Sequence, residues 1–446
     1  MNDLTREKPI KVIIHFAIPI CVGSIFQLFY SLVDTRIVGS TLGLDALAAV
    51  GATTTLNTLI VGFLVGLSGG FSVIAAQYFG AGDHLRVRRS FAVALVLGLV
   101  ISVFLTVVSL CGLGTILKWL NMPDEHLEQG YAYIFIIIAG MTASMLYNIC
   151  AGILRAIGDT ITPLCFLIFS TILNIFLDYR LIQGMHLGVA GAAAATVLSQ
   201  TAAFVLCGVY MWKKYEFLRI KKEDLRADGK MIKKLLASGL SMGFMQSLVS
   251  LGTVSLQSAI NTFGTNTIVA HSAARKLTEL FMLPFSVLGM TMTTYCGQNL
   301  GAKRTDRIKT GMRDALLMAW GWCILVILAS YTIAPFLIHA VTAATEEEVI
   351  HTASLYLRVD TVLYFVPAAI TVFRNALQGI GDCVVPIISS FIELAGKVLI
   401  VIFLTPRLAY WGIILAEPIV WVLMVIPLVV RVFTIEVLRT PRKGRA

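Results

Sequence analysis

The sequence predicts an all-α integral membrane protein of twelve transmembrane helices in two pseudo-symmetric six-helix lobes, and three observations predict it. The first is composition: the 446 residues are 57% hydrophobic and only 13% charged, whereas soluble domains carry about 25% charged residues. The second is run length. Charge-free stretches such as FAVALVLGLVISVFLTVVSLCGLG (Phe91 to Gly114) exceed the roughly 20 residues that cross about 30 Å of hydrocarbon as a helix. The third is an internal repeat. QYFGAGDHLRVRR (Gln77 to Arg89) recurs as QNLGAKRTDRIK (Gln298 to Lys309), AIGDTITP (Ala156 to Pro163) recurs as GIGDCVVP (Gly379 to Pro386), and LGLDALAAVGA (Leu42 to Ala52) returns more loosely as FGTNTIVAHSA (Phe263 to Ala273). Strand alternation is missing, so a helical bundle rather than a barrel satisfies the backbone in lipid.

Charge-poor runs place the spans near residues 10–33, 53–79, 90–113, 130–154, 161–182, 188–212, 232–262, 270–297, 314–338, 351–378, 384–405 and 410–434. The leading MNDLTREKPIK is followed by an apolar run too long for a signal-peptide core, so span one is expected to be retained. Spans four and five, and ten and eleven, are joined by the Gly-Asp repeats. Gly158-Asp159 and Gly381-Asp382 end one helix, and Pro163 and Pro386 open the next, where a missing N–H costs little. The small-residue run GVAGAAAAT (Gly188 to Thr196) opens span six and permits close helix approach. Residues 1–212 form the first lobe, a basic linker spans 213–231, and 232–446 form the second lobe. Six spans per lobe give both halves the same orientation, a parallel repeat about an axis along the membrane normal.

The net charge of +10 could indicate nucleic acid, but the positions of the basic residues argue otherwise. With the amino terminus in the cytoplasm, about 26 Lys and Arg fall in the tails and even-numbered connections and about 4 in the odd-numbered ones. The basicity is therefore topological, richest in KKYEFLRIKKEDLRADGKMIKK (213–234), with both termini cytoplasmic and TEEEV (Thr345 to Val349) outside. No organelle-targeting segment is visible, which assigns a multi-pass protein of the plasma (inner) membrane. Eight cysteines are dispersed without metal-ligand spacing and read as apolar packing, so no metal site and no cofactor are expected.

One stretch resists its surroundings. ILNIFLD (172–178) sets Asn174 and Asp178 four apart in an apolar run, so both share one helix face. An ionised Asp at mid-helix costs about 2.5–3.5 kcal/mol on insertion scales, and such residues face a bundle interior or a cavity. The bland alternative puts Asp178 at the outer end of its span beside Tyr179 and Arg180. A second acid, Asp34, closes span one at a comparable depth, and Thr196 of span six can add a hydroxyl. Two carboxylates close together in a low-dielectric site titrate as one unit, which is what proton coupling requires.

These residues resemble the multidrug and toxic-compound extrusion (MATE) transporters of bacterial type. The similarity covers nearly the full length, in AIPI...VDT..VG..LG.DALAAVG, AQYFGAGD, LRAIGDT..P, LGVAGAA.AT and GQNLGA. The resemblance implies a cation or proton site in the first lobe at Asp34, Asn174, Asp178 and Thr196, with Asn148 as an extension. Pro19 matches the proline at which the first helix is proposed to bend, and its alternative is a permanent kink. Where one branch of the family has an acid in span seven, this sequence has Gln246, which leaves a second-lobe sodium site in doubt. The implied activity is ion-coupled antiport by alternating access, with H+ or Na+ as coupling ion. Xenobiotics, small-molecule drugs and toxic organic cations are the implied cargo, and the chain is expected to act as a monomer in contact with membrane lipid.

Phe26, Phe29, Tyr30, Met242, Met245, Gln246, Phe281, Met290, Met292 and Tyr295 are candidates for an adaptable lining, since aromatic faces and thioethers suit flat cations. Glu279 and Glu393 are further buried-acid candidates, and Lys397, four residues after Glu393, makes an internal ion pair the expected reading there. Two rivals stand beside efflux. A lipid-linked-oligosaccharide flippase of the same superfamily would favour a basic cavity, whereas the first lobe has in-span acids and no mid-span Lys or Arg. A membrane-embedded enzyme would need a catalytic constellation. His15, His271, His339 and His351 are scattered near span ends, and no GxxxxGK[ST] phosphate loop occurs.

Overall fold

The protein is described by a computed structural model at residues 3–119, 124–225, 228–342 and 346–438. Among these residues every regular element is helical. The first half runs α1 (Pro9–Leu42), α2 (Leu44–Gly80), α3 (His84–Trp119), α4 (Asp124–Ala156), α5 (Ile161–Asp178) and α6 (Gly188–Lys214). The second runs α7 (Gly229–Ile260), α8 (Thr265–Gly301), α9 (Thr305–Thr332), α10 (Ala334–Thr342), α11 (Glu347–Val362), α12 (Phe365–Gly379), α13 (Val384–Leu399), α14 (Thr405–Leu408), α15 (Tyr410–Ile414) and α16 (Ala416–Thr434). Residues 226–227 of the linker, Thr345 of TEEEV and the tail from 439, on which the topology count partly rests, lie outside the described residues.

Among the described residues, eleven helical segments are each long and apolar enough to cross a membrane. The expected span at 351–378 is instead a pair, α11 and α12, bent by 53°. Pro367 accounts for the break: it has no N–H to give Leu363, and its ring clashes with that carbonyl. At the repeat offset of the Gly-Asp motif the first half has Ser144, and α4 runs through unbroken. A second difference concerns α1, which continues to Leu42. Asp34 therefore lies two turns inside the helix rather than closing it.

Two compact units emerge, Met1–Asp3 with Ile18–Gly243 and Leu4–Ala17 with Phe244–Ala446. Helices α1 and α7 are each shared between them, α1 dividing one residue before Pro19 and α7 between Gly243 and Phe244. Within the first unit the leading half of α7 packs on α2 through two pairs of glycines four apart. A Cβ at Gly66 would sit 2.5 Å from the Met242 carbonyl oxygen, and one at Gly70 2.3 Å from that of Ser238. Opposite them, Gly239 meets Phe71 and Gly243 meets Phe63. Small residues let two backbones approach this closely, and packing of that kind is what holds helices together in lipid. The linker packs on α3 in the same unit, where Arg88 Nε and Nη2 donate to the buried Asp224 at 2.7 and 3.2 Å.

Candidate functional site

Three helices of the first unit converge on the Asn-Asp face that the sequence singles out. Asn174 and Asp178 close α5 with 1% and 0% exposure, whereas the next residue, Tyr179, is 48% exposed. The chain then passes through a π-helical turn, Tyr179–Gly184, before α6. Such turns shift helix phase by one residue and occur often at functional sites. Gly191 of α6 lies against this turn, since a Cβ there would come within 3.1 Å of the Leu181 carbonyl carbon. The close approach brings Thr196 onto Asn174.

With its amide nitrogen turned to the acid, Asn174 donates to Asp178 Oδ2 at 3.0 Å while its oxygen accepts the Thr196 backbone N–H at 3.2 Å. Asp34 of α1 completes the group. Its carboxyl and that of Asp178 lie within hydrogen-bonding reach of each other. Asp34 Oδ1 and Asp178 Oδ1 are both buried and receive no donor. Two carboxyl groups in this arrangement have one natural ligand between them, a proton, because each oxygen is an acceptor until one is protonated. The oxygen-rich set of Asp34, Asp178, Asn174 and Thr196 also has the chemistry of a hard monovalent cation site.

Tyr30, one turn before Asp34, has its hydroxyl 3.4 Å from that of Thr196. Tyr133 of α4 lies in the neighbourhood of both acids, and the sequence reading missed it. Only its apolar neighbours surround it in the chain, so the signal is its depth in α4 and not a motif. Beyond the acids, Ile37, Val38, Ala46, Ile182, Val189 and Ala192 form a buried apolar cluster against which Tyr133 and Ile175 pack. Ile37 and Ile182 each follow an acid by about one turn, so apolar packing closes that end of the polar group.

The remaining candidates are dispersed. Asn148 donates to the Ser144 carbonyl of its own helix at 2.8 Å. Pro19 sits inside α1, which is helical on both sides. Phe26 and Phe29 are exposed at 39% and 63%, and Met242 packs by its methyl group near Gly69 in the same unit. In the second unit Met290 is exposed, Phe281, Met292 and Tyr295 are core residues, and the Tyr295 hydroxyl donates to the Arg307 carbonyl at 2.9 Å. Met245 Sδ accepts from Gln378 Nε2 at 3.1 Å, and the Gln246 carbonyl accepts from Ser250. Glu279, expected to be buried, is exposed. Leu277 and Thr278 take the buried face of α8 at that level, and the helical period turns the next residue outward.

Glu393 is buried and pairs with Lys397 at 2.9 Å. The pair belongs to a longer ladder inside the second unit: Arg374–Glu393 at 3.6 Å, Lys397–Glu417 at 3.7 Å and Arg275–Glu417 at 2.9 Å. Asp360, fully buried, accepts from the Tyr364 hydroxyl at 3.1 Å. Three bases thus face three acids, since charges removed from water persist only when compensated. Arg275, Glu417, Arg374 and Asp360 carried a sequence signal, in-span charge, that the reading passed over.

The Gly-Asp repeats are turns in both halves. Asp159 accepts from the Thr162 N–H at 3.0 Å and hydroxyl at 2.7 Å and from Tyr215 Oη at 2.5 Å. Burial alone would raise its pKa, but these bonds and the nearby Lys214 prevail and hold it below the usual carboxylate value. Asp382 accepts from the Val384 and Val385 N–H groups and from Arg431.

Comparison with known proteins places this geometry. The MatE family profile matches twice, over residues 19–180 and 242–404, in step with the repeat. The probable multidrug resistance protein YoeA of Bacillus subtilis (strain 168) is 26% identical over 392 residues, 85% of this chain and 83% of that one. The FAD transporter of Shewanella oneidensis is 25% identical over 429 residues, 93% and 92% of the two chains. A crystal structure of MATE in the bent conformation superposes with a TM-score of 0.87 at 24% identity, covering 96% and 97%. An outward-facing multidrug resistance MATE transporter of the MOP superfamily gives 0.87 at 23%, covering 98% of each chain. With two copies of the profile, one in each half of the helical chain, this protein belongs to the MatE family of multidrug and toxic-compound extrusion transporters.

Proposed function

We propose that the protein is a secondary active antiporter of the plasma (inner) membrane, with both termini cytoplasmic, exporting amphipathic and often cationic compounds in exchange for H+ or Na+. The observation that carries the reading is the facing carboxyl pair of Asp34 and Asp178, in which each Oδ1 is buried and receives no donor while Asn174 holds Asp178 Oδ2, with apolar packing beyond it. When the pair is charged, it attracts a cation. A proton placed between the carboxyls removes one negative charge and the repulsion with it, lets α1 repack against α5, and releases a cationic cargo. Alternating access then follows from a two-state equilibrium biased by that single charge.

Energy sets the scale. An entering proton brings about 2.3 kcal/mol per 100 mV and about 1.4 kcal/mol per pH unit. If one monovalent cation leaves per proton, the voltage cancels, and one pH unit sustains about a tenfold cargo gradient. The relatives bearing multidrug names support a small-molecule cargo, and the acids favour cations over the pyrophosphate of a lipid-linked saccharide. The test is proteoliposomes loaded with a cationic dye under an imposed pH gradient, then under a sodium gradient. Dye movement driven by either ion supports antiport and names the ion. Movement of FAD or of a lipid-linked saccharide, with dyes left in place under both gradients, overturns the cationic reading.

A further inference from the structure

A stretch of backbone ahead of the first span is held in a way that packing alone does not require. Leu4 is fully buried. Its N–H donates to Gln298 Oε1 at 3.1 Å, and its carbonyl accepts from Asn299 Nδ2 at 3.3 Å and Arg307 Nη2 at 3.2 Å. Arg307 Nη2 also donates to the Glu7 carbonyl, Arg304 Nη1 donates to the Thr5 carbonyl at 3.3 Å, and Arg307 Nε donates to Asn299 Oδ1 at 3.0 Å. Asn299 is anchored in turn by donating to the Tyr295 carbonyl at 2.8 Å. Gln298 and Asn299 are 0% exposed and Arg307 is 8% exposed. Burying a guanidinium is costly, and this one is directed at main-chain carbonyls of the segment ahead of α1.

The first unit has a looser analogue, at a position that the repeat aligns with Lys309 and not with Arg307. There Arg88 grips Asp224, which also accepts the Lys221 N–H at 2.8 Å. Thus the turn after α2 and the turn after α8 are each followed by an arginine that fastens the chain leading into α7 and α1 respectively. Both of those helices are the ones divided between units. Residues Leu4–Ala17, which lead into α1 and form its opening turns, belong to the unit that holds the clamp, and Ile18 onward to the unit that holds Asp34.

We infer that Gln298, Asn299 and Arg307 are positioning residues for transport: they fix the leading end of α1, so that a displacement of the Asp34 end is passed to the second unit instead of being lost as rotation of the whole helix. This inference rests on the efflux reading above. Without the clamp, cargo still binds but the protonation step no longer drives the other unit.

The test uses the full-length protein in proteoliposomes, as wild type, Arg307→Lys and Gln298→Ala. Arg307→Lys keeps the charge but loses the fork that reaches two carbonyls. Amide hydrogen exchange over residues 4–8, equilibrium binding of a cationic dye and gradient-driven dye efflux are read on each. Faster exchange at 4–8, a maximal efflux rate lowered between about twofold and thirtyfold and an unchanged dye Kd support the clamp. Faster exchange with wild-type efflux overturns it, as does exchange in the wild type as fast as in a free peptide. If a variant fails to fold, Arg304→Gln, which alters the partly exposed contact to Thr5, is scored by the same three readouts. Should the wild type move no dye under any gradient, the efflux reading fails, while the exchange data still score the anchoring.

Discussion

Replacing Asp178 by Asn probes the proposed exchange site with little change of shape. In the wild type, Asp178 Oδ2 accepts from Asn174 at 3.0 Å and the carboxyl faces that of Asp34. An amide in this place keeps an oxygen for Asn174 and turns an N–H toward Asp34, so the variant holds permanently the hydrogen bond that the wild type makes only when protonated. The exchange of one buried hydrogen bond for another is within the usual 0.5–1.5 kcal/mol, so Asp178→Asn should reach the membrane folded. Under the proposed mechanism, what it loses is the exchangeable proton of the pair. At zero voltage that proton supplies about 1.4 kcal/mol per pH unit, and dye accumulation should fall from about tenfold to about onefold across a one-unit step. Dye trapping in proteoliposomes measures the ratio, with voltage clamped by potassium and an ionophore. Dye-for-dye exchange in the absence of a gradient should persist. Tenfold accumulation retained by Asp178→Asn would refute the assignment of coupling to this carboxyl.

Two further outcomes follow from the packing and the turns. Gly70→Ala puts a methyl group 2.3 Å from the Ser238 carbonyl oxygen, a backbone atom that cannot rotate away, and should destabilise by about 1–3 kcal/mol or more. Gly51→Ala, on the same helix with nothing within 4 Å, should leave Tm in detergent unchanged or slightly higher, and equal losses in the two variants would contradict the close approach of α2 and α7. At Asp159 the folded pKa lies below the unfolded value, so its stabilisation is complete above the unfolded value of about 3.9 and is lost as pH falls through the folded one. Asp159→Asn keeps a cap for the Thr162 N–H but loses the charge that strengthens the bonds from Tyr215 and Thr162 and faces Lys214, so it should lower Tm near neutral pH and show a smaller further drop than the wild type on acidification below about pH 4. Parallel acid curves for the two proteins would show that this turn does not contribute to acid lability.

The sequence by itself determined the membrane class, the helical bundle, the two-fold repeat and the shared helix face of Asn174 and Asp178. Each of these depends on local quantities: run length, charge content, the i, i+4 spacing of Asn174 and Asp178, and motifs that recur at one offset. Even the break at Pro367 was written locally, in a proline whose ring cannot continue the helix from Leu363. Only the tertiary structure decided that Tyr133 lies in the neighbourhood of both acids, that Glu279 turns outward while Glu393 joins a ladder with Arg374, Lys397, Glu417 and Arg275, and that the chain ahead of α1 is clasped by Gln298, Asn299 and Arg307. Those facts depend on the azimuth and depth at which helices meet, through contacts such as Arg275 to Glu417, 142 residues apart, and Leu4 to Gln298, 294 apart. Hydropathy reports that a helix is buried in lipid. Which of its faces meets which neighbour is set by the summed packing of every other helix, and no single stretch of the chain contains it.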